Sequence, residues 1–299
     1  MKLGPFSINY SIAERGFEPN GYENVDAEFD ALKKGGKKLL LGVFPARSGA
    51  RWLCDIFSAH DNAIGTLERY ATPEALWRYI KYNKLPIDTA GIVRLIKCGI
   101  VADWKKKDTS LIFSPYFSHG LLELVGALKP DTVIFALNDP RHTVQSLYNK
   151  GFFKETYFRD DENLALGYQP NIEKMHWLFG RVVPNGAYYR EWLALTRVGK
   201  IAWWGNMLVR DIYEQFTQLP QECTWIFDLR KADQNYEYYK EMAKRFGLEP
   251  LLPERTFLAL KEKTVQAKDN TPHEWSAHEE KEFTELTGEW YRLYSSLTA

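Results

Sequence analysis

Residues 37–53 of this chain, Lys-Lys-Leu-Leu-Leu-Gly-Val-Phe-Pro-Ala-Arg-Ser-Gly-Ala-Arg-Trp-Leu, restrict its fold more than any other stretch. The apolar run 39–44 reads as a buried strand. It breaks at Pro45, turns through Arg47, Ser48 and Gly49, and gives way to a 3.6-residue period carrying Trp52, Leu53, Ile56 and Phe57 on one face. Strand, tight glycine loop and helix N-terminus together form an anion site. The unpaired backbone N–H groups of the first turn and the positive end of the helix dipole face the same point. Arg47 adds a fixed charge with a planar donor fork suited to oxyanions. The plain alternative is a structural turn with a surface arginine.

A Walker A loop, G-x-x-x-x-G-K-[ST], does not fit. Gly49 is followed by Ala50 and Arg51 rather than by lysine and a hydroxyl residue, so the magnesium-binding hydroxyl is missing. The reading is a metal-free site for a phosphate- or sulfate-bearing ligand. Residues 132–146, Thr-Val-Ile-Phe-Ala-Leu-Asn-Asp-Pro-Arg-His-Thr-Val-Gln-Ser, repeat the pattern: a strand over 132–137, then a helix opened by Asp139 and Pro140. Arg141 and Ser146 fall on its first turns, within reach of an anion.

The ordered pair of motifs resembles the sulfotransferase family that uses 3′-phosphoadenosine 5′-phosphosulfate. In that family a P-x-[RK]-S-G-T-[TS]-W/L loop grips the 5′-phosphosulfate, and a later R-D-P-R-x-x-x-x-S segment grips the 3′-phosphate. Here Arg47, Ser48, Gly49 and Trp52 match the first motif, and Asp139, Pro140, Arg141 and Ser146 match the second. Ala50 and Arg51 stand where the family has two hydroxyl residues. Backbone donors survive that change, and Arg51 can supply charge instead. Asn138 replaces the family's 3′-phosphate arginine, losing a charge-assisted contact of about 1.5–3 kcal/mol, with Arg141 placed to compensate. The resemblance implies a donor site made of Arg47, Ser48, Gly49, Ala50, Arg51, Trp52, Asn138, Arg141 and Ser146, with Trp52 near the adenine. It implies no metal.

Alternating strands and helices imply one three-layer α/β/α domain over residues 1–299, with a central parallel sheet and ligands at the carboxyl ends of its strands. Residues 1–37 read as an irregular lead-in. Helices are expected over 73–83, 121–128, much of 187–218 and 232–246, the last ended by Gly247, with strands at 111–113 and 223–227. Residues 151–200 match the family poorly and read as an acceptor-side insertion.

Transfer of a sulfuryl group to an alcohol needs a base for the acceptor proton. The family uses a Glu or a His, and two residues qualify, with Arg47 assisting at the transferred group. Glu68 follows a short strand at the distance where several bacterial and carbohydrate sulfotransferases carry such a Glu; its alternative is an ion pair with Arg69 or a surface lysine. His119, just past another strand, corresponds to the catalytic His of the cytosolic branch; its alternative is a helix cap. His60 reads as structural and His142 as solvent-facing. The aromatic pairs Phe152–Phe153, Tyr188–Tyr189 and Trp203–Trp204 wall an acceptor pocket or pack a core.

Acidic and basic residues balance at 39 each, so no net field favours nucleic acid. Three scattered cysteines fit a reduced cytoplasm and show neither a zinc nor a disulfide pattern. The N-terminus lacks a signal-peptide apolar core, and no run reaches the roughly 20 apolar residues of a membrane span. The expectation is a cytoplasmic sulfotransferase acting on a hydroxyl, or second to that an amine, of a small-molecule acceptor such as a secondary metabolite. Its oligomeric state is open. The alternatives are a nucleotide or nucleoside kinase with a degenerate loop, and a non-catalytic metabolite-binding relative.

Overall fold

The computed structural model describes residues 24–153, 179–233, 235–265 and 273–298. Five strands form one all-parallel sheet: β1 (Lys38–Val43), β2 (Ala63–Leu67), β3 (Thr109–Phe113), β4 (Thr132–Leu137) and β5 (Thr224–Asp228), in spatial order β2-β3-β1-β4-β5. The helices are α1 (Val25–Lys34), α2 (Ala50–Ser58), α3 (Ala71–Tyr82), α4 (Ala90–Trp104), α5 (Leu121–Leu128) and α6 (Pro140–Asn149). After them come α7 (Tyr188–Ala194), α8 (Arg197–Phe216), the short α9 (Leu229–Ala232), α10 (Tyr236–Phe246), α11 (Glu254–Val265) and α12 (Ala277–Thr298). No helix among the described residues is long and apolar enough to cross a membrane.

Strands β1, β3 and β4 are covered on both faces, which is why β1 and β4 read as apolar runs rather than as alternating patterns. Period-2 alternation splits their side chains between two cores. Leu39, Leu41, Val43, Val133, Phe135 and Leu137 face a large core with Trp77, Trp104, Val144, Leu147, Leu208 and Trp290. Leu40, Leu111, Ile134 and Ala136 face a smaller one with Trp52, Phe57, Tyr239, Met242 and Phe257. So α2 lies on one face of the sheet, while α6 and α8 lie on the other.

That split positions the site. The chain leaves β1 toward one face and leaves its neighbour β4 toward the opposite face. Their exit loops therefore diverge, leaving a crevice over the carboxyl ends of the β1–β4 pair. This is the topological switch point at which open α/β sheets bind ligands.

Several expectations need adjusting. Residues 25–34, assigned to an irregular lead-in, form α1, whose Phe29 packs at 5.0 Å on Trp104. Helix α4 has no counterpart in the sequence reading, because it is apolar nearly all round and lacks a clean stripe. The face of α3 that is buried carries Glu74, Ala75, Trp77, Arg78 and Ile80, rotated from the expected Ala75, Leu76, Tyr79 and Ile80. The strand and helix at 132–149 begin where Asp139 and Pro140 predict, and Gly247 ends α10 in the left-handed conformation. Of the expected insertion at 151–200, residues 154–178 lie outside the described residues.

Helix α2 packs directly on the backbone of β2. A Cβ on Gly65 would lie 2.4 Å from the Cys54 carbonyl oxygen and 2.6 Å from its Cα. Neither atom can swing away, so Gly65→Ala is expected to cost about 1–3 kcal/mol, read as a lower urea midpoint at unchanged slope.

Candidate functional site

The loop leaving β1 is held in an unusual shape. Ala46, Arg47 and Gly49 all have positive φ, at 105°, 55° and 79°. Gly49 adopts that conformation without strain, but Ala46 and Arg47 do so at a cost of about 1–3 kcal/mol each, which surrounding contacts must offset. Ser48 is fully buried and its hydroxyl donates to the Ala46 carbonyl, 3.2 Å away. Ser48 can therefore serve an anion through its backbone only. Helix α2 starts at Ala50 with no side chain capping its first turn, so its leading N–H groups face the crevice uncapped. Arg51 is exposed on that turn.

Across the crevice, Asp139 caps α6 by accepting from the His142 N–H at 3.0 Å. The two motifs meet where Arg47 Nε–H donates to Ser146 Oγ at 2.7 Å, between residues 99 apart in sequence. Arg47 is solvent-exposed, yet desolvation by the surrounding protein lowers its pKa. Asn138 links the motifs a second time, its Nδ2–H donating to the Arg47 carbonyl at 3.0 Å.

Arg141 lies at the rim, in a bidentate ion pair with Glu280 of α12 (2.9 Å on one arm). Its guanidinium stacks 4.4 Å above the Trp275 ring. The pairing raises the Arg141 pKa and lowers that of Glu280. Trp52 is 3% exposed and packs on Phe257 at 5.4 Å and Phe227 at 6.4 Å, inside the smaller core.

A second polar group lies at the carboxyl ends of β2 and β3. Glu68 is half-buried, with a left-handed backbone (φ 49°) and its N–H bonded to the Phe113 carbonyl. Glu74, 3% exposed, accepts from the Tyr70 N–H at 2.9 Å and lies beside the Ser114 hydroxyl. Burial pushes the Glu74 pKa up to about 7, against the pull of that hydrogen bond, and the Glu68 charge adds to the rise. Arg78, wholly buried, donates to the carbonyls of Gly180 (2.8 Å) and Pro115 and lies 4.9 Å from the Tyr116 ring centre; burial lowers its pKa to about 10. His119 is buried against Tyr82. Its Nδ1 lies 3.0 Å from Ser118 Oγ, and its Nε2 lies 2.6 Å from Asp211 Oδ2 without being aligned as a hydrogen bond. Burial lowers the His119 pKa and Asp211 opposes the shift.

Arg69, the residue next to Glu68, forms a bidentate pair with Asp103. His60 is structural, bonding the Ile56 carbonyl and the Tyr239 hydroxyl, and His142 is exposed. Phe153, Tyr189 and Trp204 are core residues. Glu74, Arg78, Asp211, Glu280 and Trp275 escaped the sequence reading. Only the first two left a signal: charges four apart beside Trp77 on an otherwise apolar helix face.

Loop, parallel sheet and uncapped helix place the chain in the three-layer α/β class, with a strand–loop–helix unit at the switch point of the sheet. Comparison with solved structures narrows the fold to that of the sulfotransferases. Sulfotransferase STF9 from Mycobacterium avium superposes with a TM-score of 0.53 over 94% of this chain and 88% of its own. The identity is 9%, so the likeness is one of fold. The sulfotransferase domain from the curacin biosynthetic pathway aligns more loosely, with a TM-score of 0.43 at 12% identity over 84% of this chain and 97% of its own, and carries no argument. No protein-family model and no curated protein matches the sequence.

Glu74 gives the site a pH signature. Its folded pKa of about 7 exceeds the ordinary 4.5, so the unfolded chain releases this proton more readily. The contribution of Glu74 to stability is therefore greatest below about pH 4.5 and declines as pH rises toward 7. Glu74→Gln should flatten that part of the stability profile and raise the melting temperature at pH 8, as scanning calorimetry would show.

Proposed function

We propose that this protein is a sulfotransferase that moves the sulfuryl group of 3′-phosphoadenosine 5′-phosphosulfate to a hydroxyl of a small-molecule acceptor. The observation that carries this reading is the Arg47–Ser146 hydrogen bond, which joins two anion-binding motifs over adjacent parallel strands. The site fits the donor's chemistry. A positive side chain beside uncapped N–H groups at the start of α2, and Arg141 with Ser146 on the facing helix, offer two separate anion subsites.

In this reading Arg47 and the backbone from Ser48 to Trp52 hold the phosphosulfate, and Arg141 and Ser146 hold the 3′-phosphate. Arg47 neutralises charge that builds on the bridging oxygen as its bond to sulfur breaks. The new bond forms between sulfur and the acceptor oxygen, whose proton passes to a base. Glu68 is the favoured base, being half-buried at a strand end. His119 comes second: burial lowers its pKa and so weakens it as a base, and its ring nitrogens lie against Ser118 and Asp211. We place the reaction in a reduced cytoplasm, with a secondary metabolite as the acceptor.

One observation favours a second, non-catalytic reading. Asn138 and Arg141 are both engaged within the protein, so a nucleotide has to win Arg141 from Glu280. Detection of sulfated product in an acceptor screen decides between the two.

Calorimetry with adenosine 3′,5′-bisphosphate tests the donor site. Binding without metal, unmatched by ATP, is expected; no binding would overturn the reading. Arg47→Ala should weaken it by about 10–100-fold. Glu68→Gln should lower turnover by about 100-fold or more at unchanged bisphosphate affinity. Unchanged turnover would remove Glu68 from the mechanism.

A further inference from the structure

Asn138 sits where the resemblance places an arginine that touches the ligand. Its surroundings give it other work. The side chain is 3% exposed, and both ends of its amide are engaged inside the protein. Nδ2–H donates to the Arg47 carbonyl at 3.0 Å, and Oδ1 accepts from the Asp139 N–H at 2.9 Å. One planar group thus ties the loop leaving β1 to the first residue of the cap of α6. The carbonyl it holds belongs to one of the two strained non-glycine residues of that loop, at φ 55°. Turning that peptide toward Asn138 settles the direction in which the Arg47 side chain leaves the backbone, and that side chain then reaches Ser146 at 2.7 Å. An arginine could donate to the carbonyl, but it has no acceptor for the Asp139 N–H.

We propose that Asn138 is a positioning residue. It holds the Arg47 backbone in its left-handed conformation and so aims the Arg47 guanidinium across the crevice, without itself contacting the anion. The use of that guanidinium rests on the function proposed above; the positioning does not.

The test separates the two. Asn138→Asp keeps the acceptor for Asp139 and replaces the donor to Arg47 with a carboxylate that repels the carbonyl. In 15N-labelled protein the Arg47 Nε–H should exchange slowly in the wild type and about ten-fold faster or more in the variant, with exchange of β4 amides unchanged. Adenosine 3′,5′-bisphosphate should bind about ten-fold more weakly to Asn138→Asp and to Asn138→Arg, and Asn138→Asp should add little in an Arg47→Ala background. If Asn138→Asp does not fold, Asn138→Ser removes the reach without adding charge and gives the same readouts. Unchanged Nε–H exchange, or tighter binding by Asn138→Arg, would overturn the proposal. Faster exchange in a protein that never binds the bisphosphate would uphold the positioning and overturn the donor site.

Discussion

The site depends on the divergence of two neighbouring strands. β1 and β4 run side by side, yet α2 leaves the first toward one core and α6 leaves the second toward the other. A parallel sheet whose successive helices all packed on one face would close its carboxyl edge with crossing loops. Here the edge opens between Arg47 and Ser146, and their hydrogen bond spans the gap. The large core of α6, α8 and α12 and the small core of α2, α10 and α11 keep the two motifs in register from opposite sides.

The strained loop makes sense against that background. Two non-glycine residues with positive φ are costly on a free chain. They persist because Ser48 and Asn138 bond their carbonyls from below. On the proposed function, the strained loop is shaped before any ligand arrives, so little ordering is left for binding to accomplish. Charge is also buried beside the ends of β2 and β3. Glu74 and Arg78 share one helix face; Arg78 finds two backbone carbonyls, while burial raises the proton affinity of Glu74.

Much of the fold was legible because local rules and tertiary outcome agree. The apolar run before Pro45, the Asp139–Pro140 helix start and the glycine stop at Gly247 each place an element boundary within a residue or two. Helix α4 was illegible because burial on most sides erases the stripe that marks a helix. On α3 the buried face contains Glu74 and Arg78, which hydrophobicity alone assigns to solvent, so the helix was read rotated. Arg69 pairs with Asp103, 34 residues away, a contact that neighbouring residues cannot reveal.

By itself the sequence determined the two strand–turn–helix units, since strand, turn and helix start are encoded within about fifteen residues each and rest on backbone geometry and capping. It also determined the parallel α/β class, through runs too apolar for a sheet with one wet face. Only the tertiary structure decided that the two units share one crevice, that Asn138 serves the loop and that Glu280 lies on Arg141. Those contacts join residues about 90–140 apart. They form only after both cores have packed, and no local pattern carries their signal.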